Sequence, residues 1–479
     1  MKKKLLYRSA VILFLFMQFC GCIPAMAADT GIVLPRVALY DTLIPIEDDI
    51  GRDEPNEMTF SLLADETIDP YEQIHADFAW DYETYGNEVN VAVIDTGCAV
   101  HPALADTLKK NYYFKKVTDA NGNTNDVMYA TNASTDTNGH GTHVAGIIAA
   151  QLGNALNVKG IAPKVNLYTF NCTVETKPGE YAIHLGMAMA TLEYAVHVLG
   201  CKVVNMSFGA PKIGTNPSYP SQGLGEEEIR SMHEDIRAIY EAGAILVASV
   251  GNDYNATRRY PAAFEEVIGV GSVNSKNARS SFSNTNDTVD VVAPGGDIKK
   301  ENVAGSINEA IHSLHHQSFT TTAAKSGTSQ AAPHVAGAAA LMLSAKPDIT
   351  PAEFKALLQN CSAKIHGEGY DTTDGYGNGL LDVRAMFNAL TNGQSCYIAP
   401  PSDGHIALFN LTDEDITTAK AAVTFLSEAG ILQSCHTQAV TIGAQNTSRL
   451  QLTEGETAQR LFLWNFATMA PLAAARKIR

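Results

Sequence analysis

Val89-Asn90-Val91-Ala92-Val93-Ile94-Asp95-Thr96-Gly97 is a short run of apolar, mostly β-branched residues that stops abruptly at a carboxylate and a Thr-Gly turn. Such a run reads as a strand buried on both faces. Working outward, similar runs recur at 165–170, 202–207, 244–249, 267–273 and 289–293. Helix-length stretches alternate with them at 143–151, 182–199, 226–242 and 330–345. In the third, Ile229, Met232, Ile236 and Ile239 recur at helical spacing and Gly243 follows as a stop, which marks a core-facing stripe. Strands alternating with helices predict an α/β fold, a parallel sheet with helices on both faces. Asp95 then lies at the carboxyl edge of the sheet, where such folds place their sites.

Two further segments carry chemistry. His140 stands in Asn138-Gly139-His140-Gly141-Thr142-His143, and Ser329 in Ser326-Gly327-Thr328-Ser329-Gln330-Ala331-Ala332-Pro333-His334. A serine hydroxyl is a weak nucleophile until a base takes its proton, and the base needs a third group to hold one tautomer. Ser329, His140 and Asp95 meet those three needs. His143 is expected to be a packed, hydrogen-bonded histidine.

The order Asp, His, Ser and the three motifs resemble those of the subtilisin-like serine proteases, or subtilases, from about Pro70 to Asp382. The resemblance implies a subtilisin-like fold and a serine endopeptidase that attacks peptide bonds through an acyl-enzyme on Ser329, with His140 as base and Asp95 as orienting carboxylate. It implies Asn252, in Val247-Ala248-Ser249-Val250-Gly251-Asn252, as the side-chain oxyanion donor beside the Ser329 amide. It also implies that Ser207, Phe208, Gly209, Ala248, Ser249, Val250 and Gly251 bind an extended peptide and wall the specificity pocket. Arg259 falls near that pocket's floor, where many members have a small residue. A cation there implies preference for Asp or Glu on the acyl side, and a solvated loop arginine is the open alternative. Gln330 stands where many members carry an oxidisable methionine. Ala103 replaces an aspartate that ligates calcium in many members with a loop resembling 152–158 and its Asn154, so calcium is doubtful and no cofactor is expected. A catalytically inactive scaffold acting as a binding protein, and a peptidase dedicated to one precursor, are the alternatives.

The rest of the chain sets the context. Residues 1–27 combine Lys2-Lys3-Lys4, an apolar run and Ala25-Met26-Ala27, the pattern of a secretory signal, with acylation of Cys22 as the alternative. A secreted, extracellular bacterial protein is expected, with no membrane span. Removing the four basic residues of that segment from a chain of net charge -17 leaves -21, which disfavours nucleic acid as a partner. Protein or peptide substrate is the expected partner, and a monomer the expected state. Residues 28–69 hold eleven Asp or Glu against two Arg, and read as an acidic arm or short pro-segment. The catalytic domain is read as 70–392, and 396–479 as a small β-rich module with strands at 421–425, 439–442, 448–452 and 459–465. Cys98, Cys172, Cys201, Cys361, Cys396 and Cys435 allow fifteen full pairings, and Cys98 alternatively remains a buried thiol. The stretch 297–325, with His312, His315 and His316, is read as a specificity insertion whose histidines face solvent rather than bind metal.

Overall fold

The computed structural model describes residues 31–34, 40, 42–46, 69–298, 309–365, 374–392, 394, 396–400, 405–411, 416–426, 432–442, 447–451, 458–465, 470–471, 473 and 476–477. The segment read as a signal, Cys22 within it, most of the acidic arm and 299–308 of the insertion lie outside the described residues.

From the N-terminus the described elements are β1 (Ile32–Val33), β2 (Leu43–Pro45), the short helices α1 (Pro70–Gln73) and α2 (Asp77–Asp81), and β3 (Asn90–Asp95). Next come β4 (Leu108–Thr118), β5 (Thr124–Thr131), α3 (His140–Ala149), β6 (Asn166–Asn171), β7 (Thr173–Lys177), β8 (Glu180–His184) and α4 (Leu185–His197). They are followed by β9 (Val203–Met206), β10 (Ala210–Pro211), α5 (Glu226–Glu241), β11 (Ile245–Ser249), β12 (Arg259–Tyr260), β13 (Val267–Val273) and β14 (Val291–Pro294). The hairpin β15 (Ile311–Leu314) and β16 (Thr322–Lys325) leads to α6 (Thr328–Ala345), α7 (Pro351–Cys361) and α8 (Val383–Thr391).

The main sheet runs β1-β5-β4-β6-β3-β9-β11-β13-β14. From β4 to β14 every neighbouring pair is parallel, and only β5 and β1 add on antiparallel at one edge. Chain order reverses about β3, which lies between β6 and β9, so the crevice at its carboxyl end is the topological switch point. Helix α3 packs on α6, and α4 on α5, with α3 and α4 both resting on β3. Residues 91–95 are all buried, as an apolar run covered by helices on both faces must be.

Two departures from the sequence reading have physical causes. Residues 182–184 form the end of β8 rather than the start of a helix, because β7 and the arm strand β2 supply ladder partners that outweigh helical propensity. His184 then caps α4 by accepting the Met187 amide on Nδ1. The sequence does not announce the long β4–β5 hairpin, because only Asn111, Tyr112, Val127 and Met128 of it are buried and its polar residues break the apolar run.

Nearly all of α6 is buried. His334 within it donates from Nδ1 to the Gln330 carbonyl at 2.8 Å, and burial pushes its imidazole down to about 4, the carbonyl opposing only in part. The folded state therefore keeps His334 neutral where an unfolded chain, titrating near 6.5, takes up a proton. This contribution is fully present above the unfolded value and is lost as pH falls towards the folded one. The loss should total about 3 kcal/mol between about pH 6.5 and 4. Thermal unfolding followed across that window should show a shallower fall for His334→Gln than for the parent. Equal slopes would contradict it.

Beyond 392, β17 (Cys396–Ile398), β18 (His405–Asn410) and β21 (Thr447–Gln451) form one sheet; β19 (Ile416–Leu426), β20 (Leu432–Ile442), β22 (Ala458–Asn465) and β23 (Ala470–Pro471) form a second. Their inner residues make a separate apolar cluster that includes Ile406, Leu408, Val440, Leu461 and Leu463. The module is fastened to the catalytic domain by Tyr397 Oη, 2.7 Å from Thr84 Oγ1, and by Tyr397 and Phe409 packed with Tyr82 and Phe387. Cys98, Cys172, Cys201, Cys361 and Cys396 are free thiols. Burial pushes the thiol of Cys98 far up and that of Cys172 to about 12, which leaves both un-ionised and unreactive.

Candidate active site

Three carboxyl-edge exits supply the site: the end of β3 gives Asp95, the exit of β9 gives Ser207 to Gly209, and the exit of β11 gives Gly251 and Asn252. The N-termini of α3 and α6 face them with His140 and Ser329. One cleft is lined by Asp95, His140, Ser207, Phe208, Gly209, Ser249, Gly251, Arg259 and Ser329, together with Pro45, Ile46 and Ile183.

The Asp95 carboxylate is buried, and its Oδ1 accepts from Thr96 N and from His140 Nδ1, both at 2.7 Å. That contact fixes the Nδ1–H tautomer and leaves Nε2 as the basic nitrogen. The approach is close because Gly141 has no side chain: a Cβ there would lie 2.2 Å from the Gly97 carbonyl and 3.2 Å from Asp95 Oδ1. Gly139 is left-handed at φ +96°, and a Cβ on it would meet the His316 ring at 2.5 Å. The whole turn hangs on Asp136. One of its oxygens accepts from Thr96 Oγ1, Asn138 N and Gly139 N, the other from Thr142 N and Thr142 Oγ1. A buried carboxylate at the N-terminus of α3 suits the helix dipole. Its sequence signal is an acidic residue three positions ahead of a glycine that opens a helix.

Ser329 is the second residue of α6, so its amide is among the first four, which lack intrahelical partners. Pro333, four residues on, has no N–H, which releases the Ser329 carbonyl. Ser207 Oγ donates to that carbonyl at 2.8 Å, and Ser329 Oγ donates to the Ser207 carbonyl at 3.2 Å. Asn252 is oriented by Thr328, whose N and Oγ1 both donate to Asn252 Oδ1 at 2.9 Å, so Nδ2 is the end that Thr328 does not engage. Thr328 Oγ1 also accepts the Gly251 amide at 3.2 Å, tying the β11 exit to the start of α6.

Of the wall residues read from the sequence, Ala248 and Val250 are corrected. Both are fully buried in the apolar core and neither lines the cleft, because alternate residues of an extended segment face opposite ways. Arg259 lines the cleft and is not a solvated loop residue: its side chain is 12% exposed and is held by Asp253, with Nε to Oδ2 and Nη2 to Oδ1 at 2.6 Å each. Burial alone would raise the Asp253 carboxyl, but the hydrogen bonds and charge of Arg259, with Asn284 and Asn216, bring it below the usual range.

The N-terminal arm supplies contacts that composition did not announce. Strand β2 pairs antiparallel with β8, Ile44 opposite Ile183, and Tyr40 Oη donates to Asp235 Oδ2 at 2.7 Å. Tyr40 and Ile44 are each 1% exposed, which anchors the arm and delivers Pro45 and Ile46 to the cleft. His143 is buried, with Nε2 3.0 Å from the Ile311 carbonyl and 3.2 Å from that of Ala323, and so fastens the β15–β16 hairpin. His312 is exposed, while His315 and His316 stack at 5.2 Å and are half-buried.

The residues at the calcium-like loop do not fit a hard cation. Ala103 offers no carboxylate, and Asn154 Nδ2 donates to the carbonyls of Gln151 at 2.6 Å and Val158 at 2.5 Å. Elsewhere among the described residues His233, Glu265 and Glu266 come together, but Glu266 accepts from His233 Nε2 at 2.9 Å and Arg237 Nε at 3.4 Å.

Comparison with known proteins matches residues 86–377 to the model of the subtilase family. The chain is 33% identical over 305 residues to subtilisin E of Bacillus subtilis, an alignment covering 63% of this chain and 66% of that protein. It is equally identical over 305 residues to subtilisin of Bacillus pumilus, covering 91% of that protein. The minor extracellular protease Epr of Bacillus subtilis is 29% identical over 352 residues, 72% of this chain and 46% of that one. Among solved structures, a protease from Pseudoalteromonas arctica superposes with a TM-score of 0.52 at 26% identity, covering 66% of this chain and 94% of the other.

Proposed function

The chain belongs to the subtilase family, and from that premise we propose that it is a secreted serine endopeptidase acting through Ser329, His140 and Asp95. The observation that carries the reading is the buried 2.7 Å contact from His140 Nδ1 to Asp95 in a cleft that also presents Ser329.

In the proposed cycle, His140 Nε2 takes the Ser329 proton as Oγ attacks the scissile carbonyl carbon. This requires Oγ–H to turn from the Ser207 carbonyl towards the imidazole. Asp95 stabilises the imidazolium without taking the proton. The oxyanion is met by Ser329 N–H at the helix terminus and by Asn252 Nδ2. His140 then protonates the leaving amine, an acyl-enzyme forms, and water repeats the sequence to release the acid. The backbone at Ser207 to Gly209 is suited to hold the acyl side of an extended peptide, a mode that gives affinity with little sequence preference. The arm residues Pro45 and Ile46 lie in this same cleft, so part of it is covered in the intact chain. Export would follow from the N-terminal leader, and Epr is extracellular by its printed name. No described helix is long and apolar enough to cross a membrane.

Digestion of a diverse peptide library by the chain and by Ser329→Ala, with products mapped by mass spectrometry, tests the reading. Internal cuts made only by the parent support it. Identical product sets would refute it, because any cutting would then be independent of Ser329. A finer check concerns the oxyanion donor: Asn252→Ala should lower kcat about 100- to 1,000-fold with little change in KM, since the amide meets charge that exists only in the transition state. A change confined to KM would move Asn252 to ground-state binding.

A further inference from the structure

We infer that Asp253 and Arg259 together close the specificity pocket, making it a short, charge-neutral recess that accepts small uncharged side chains on the acyl side of the scissile bond. The inference rests on the reading of the cleft as a peptidase site and adds its substrate class.

Arg259 spans the space between two walls of the cleft. On one side, a Cβ on Gly251 would lie 2.5 Å from Arg259 Cδ and 2.8 Å from Nε, so the arginine stem lies directly against this wall. On the other, a Cβ on Gly209 would lie 3.2 Å from Arg259 Cβ, and Nη1 donates to the Gly209 carbonyl at 2.8 Å. Pairing of β12 with β10, Arg259 opposite Pro211, holds the backbone beneath that bridge. The bar therefore occupies depth that a large side chain would need.

The charge of the bar is cancelled where it lies. Asp253 takes Arg259 on both oxygens and also accepts from Asn216 Nδ2 and Asn284 Nδ2, each at 2.8 Å. Side-chain exposure is 12% for Arg259 and 7% for Asp253, so solvent screens the pair little. An incoming carboxylate meets a guanidinium at the cleft lining whose charge Asp253 already cancels, and an incoming cation meets that same guanidinium. Neither gains what a lone buried charge would give, and both lose hydration.

Peptides varied at the residue before the cut test this directly. The parent should give its highest kcat/KM with Gly, Ala or Ser there, at least about tenfold above Phe, Leu, Glu or Lys. Arg259→Ala opens the recess and removes the only cation, among the described residues, bonded to Asp253, which keeps its bonds from Asn216 and Asn284, moving the optimum to Lys or Arg. Asp253→Asn removes the counter-charge while the guanidinium keeps its bond to the Gly209 carbonyl, moving it to Asp or Glu. Arg259→Met with Asp253→Leu keeps the recess filled but uncharged and should retain the parental optimum, which covers the case of an unstable single variant. A parent that prefers large apolar or acidic residues, or single variants with the parental profile, would overturn the inference. Labelling of Ser329 by a fluorophosphonate, run on each protein, separates this from failure of the peptidase reading, since a wrong pocket assignment leaves labelling intact.

Discussion

Ser329→Ala is expected to reduce kcat for peptide hydrolysis on the order of a millionfold, the scale lost when the nucleophile or base of such a triad is removed. The size of the effect follows from the arrangement rather than from one bond. In the proposed cycle Ser329 Oγ is the atom to which the acyl group attaches, and neither His140 nor the proposed oxyanion donors can substitute for it. Rate above that of uncatalysed hydrolysis should survive, because Asn252, the α6 terminus and peptide binding still act on attacking water. Ser329 is buried and contributes its carbonyl to the contact with Ser207 Oγ, which alanine preserves, so the melting temperature should change little. Measuring kcat and thermal unfolding on the same preparation checks both parts. A kcat within tenfold of the parent would remove Ser329 from the chemistry.

Asp95→Asn should cost about 10,000-fold in kcat near neutral pH. The carboxylate now accepts the Nδ1 proton at 2.7 Å, which forces Nε2 to carry the lone pair. An amide in its place can offer a donor to Nδ1, the other tautomer is favoured, and Nε2 then bears a proton where a base is required. Thr96 N can still reach the remaining carbonyl oxygen, so the turn after β3 should stay folded. The discriminating comparison is Asp136→Asn. Asp136 holds the loop through five donors on Thr96, Asn138, Gly139 and Thr142, so its change should act chiefly on stability. Equal kcat losses for the two variants would mean that Asp95 acts only as scaffold.

Much of this was legible in the sequence for a physical reason: strands buried on both faces must be apolar throughout, and helices that close a site begin at glycine-flanked residues. Thus the apolar run 267–273 matches β13 end to end, and Asp95, His140, Ser329, Ser207 and Gly251, each marked by its motif, line one cleft. What escaped was tertiary in origin. β8 reads as helix until β2 and β7 are brought beside it. The arm looks like acidic loop because, among its described residues, only Tyr40 and Ile44 are buried, too few to create a periodic pattern. Ala248 and Val250 were assigned with their neighbours to a wall, although strand alternation sends them inward. Arg259 was read without Asp253, and a charge without its counter-ion misstates the pocket it lies in.

The central claim is that Asp95 and His140 activate Ser329. Its most direct test is the rate of labelling by a fluorophosphonate, which needs the activated hydroxyl but no particular peptide, with the adduct located by peptide mass mapping. The account predicts one adduct, on Ser329, that forms rapidly in the parent, is slowed by orders of magnitude in His140→Ala and is absent in Ser329→Ala. Labelling elsewhere, or labelling of Ser329 at the same rate without His140, would contradict it.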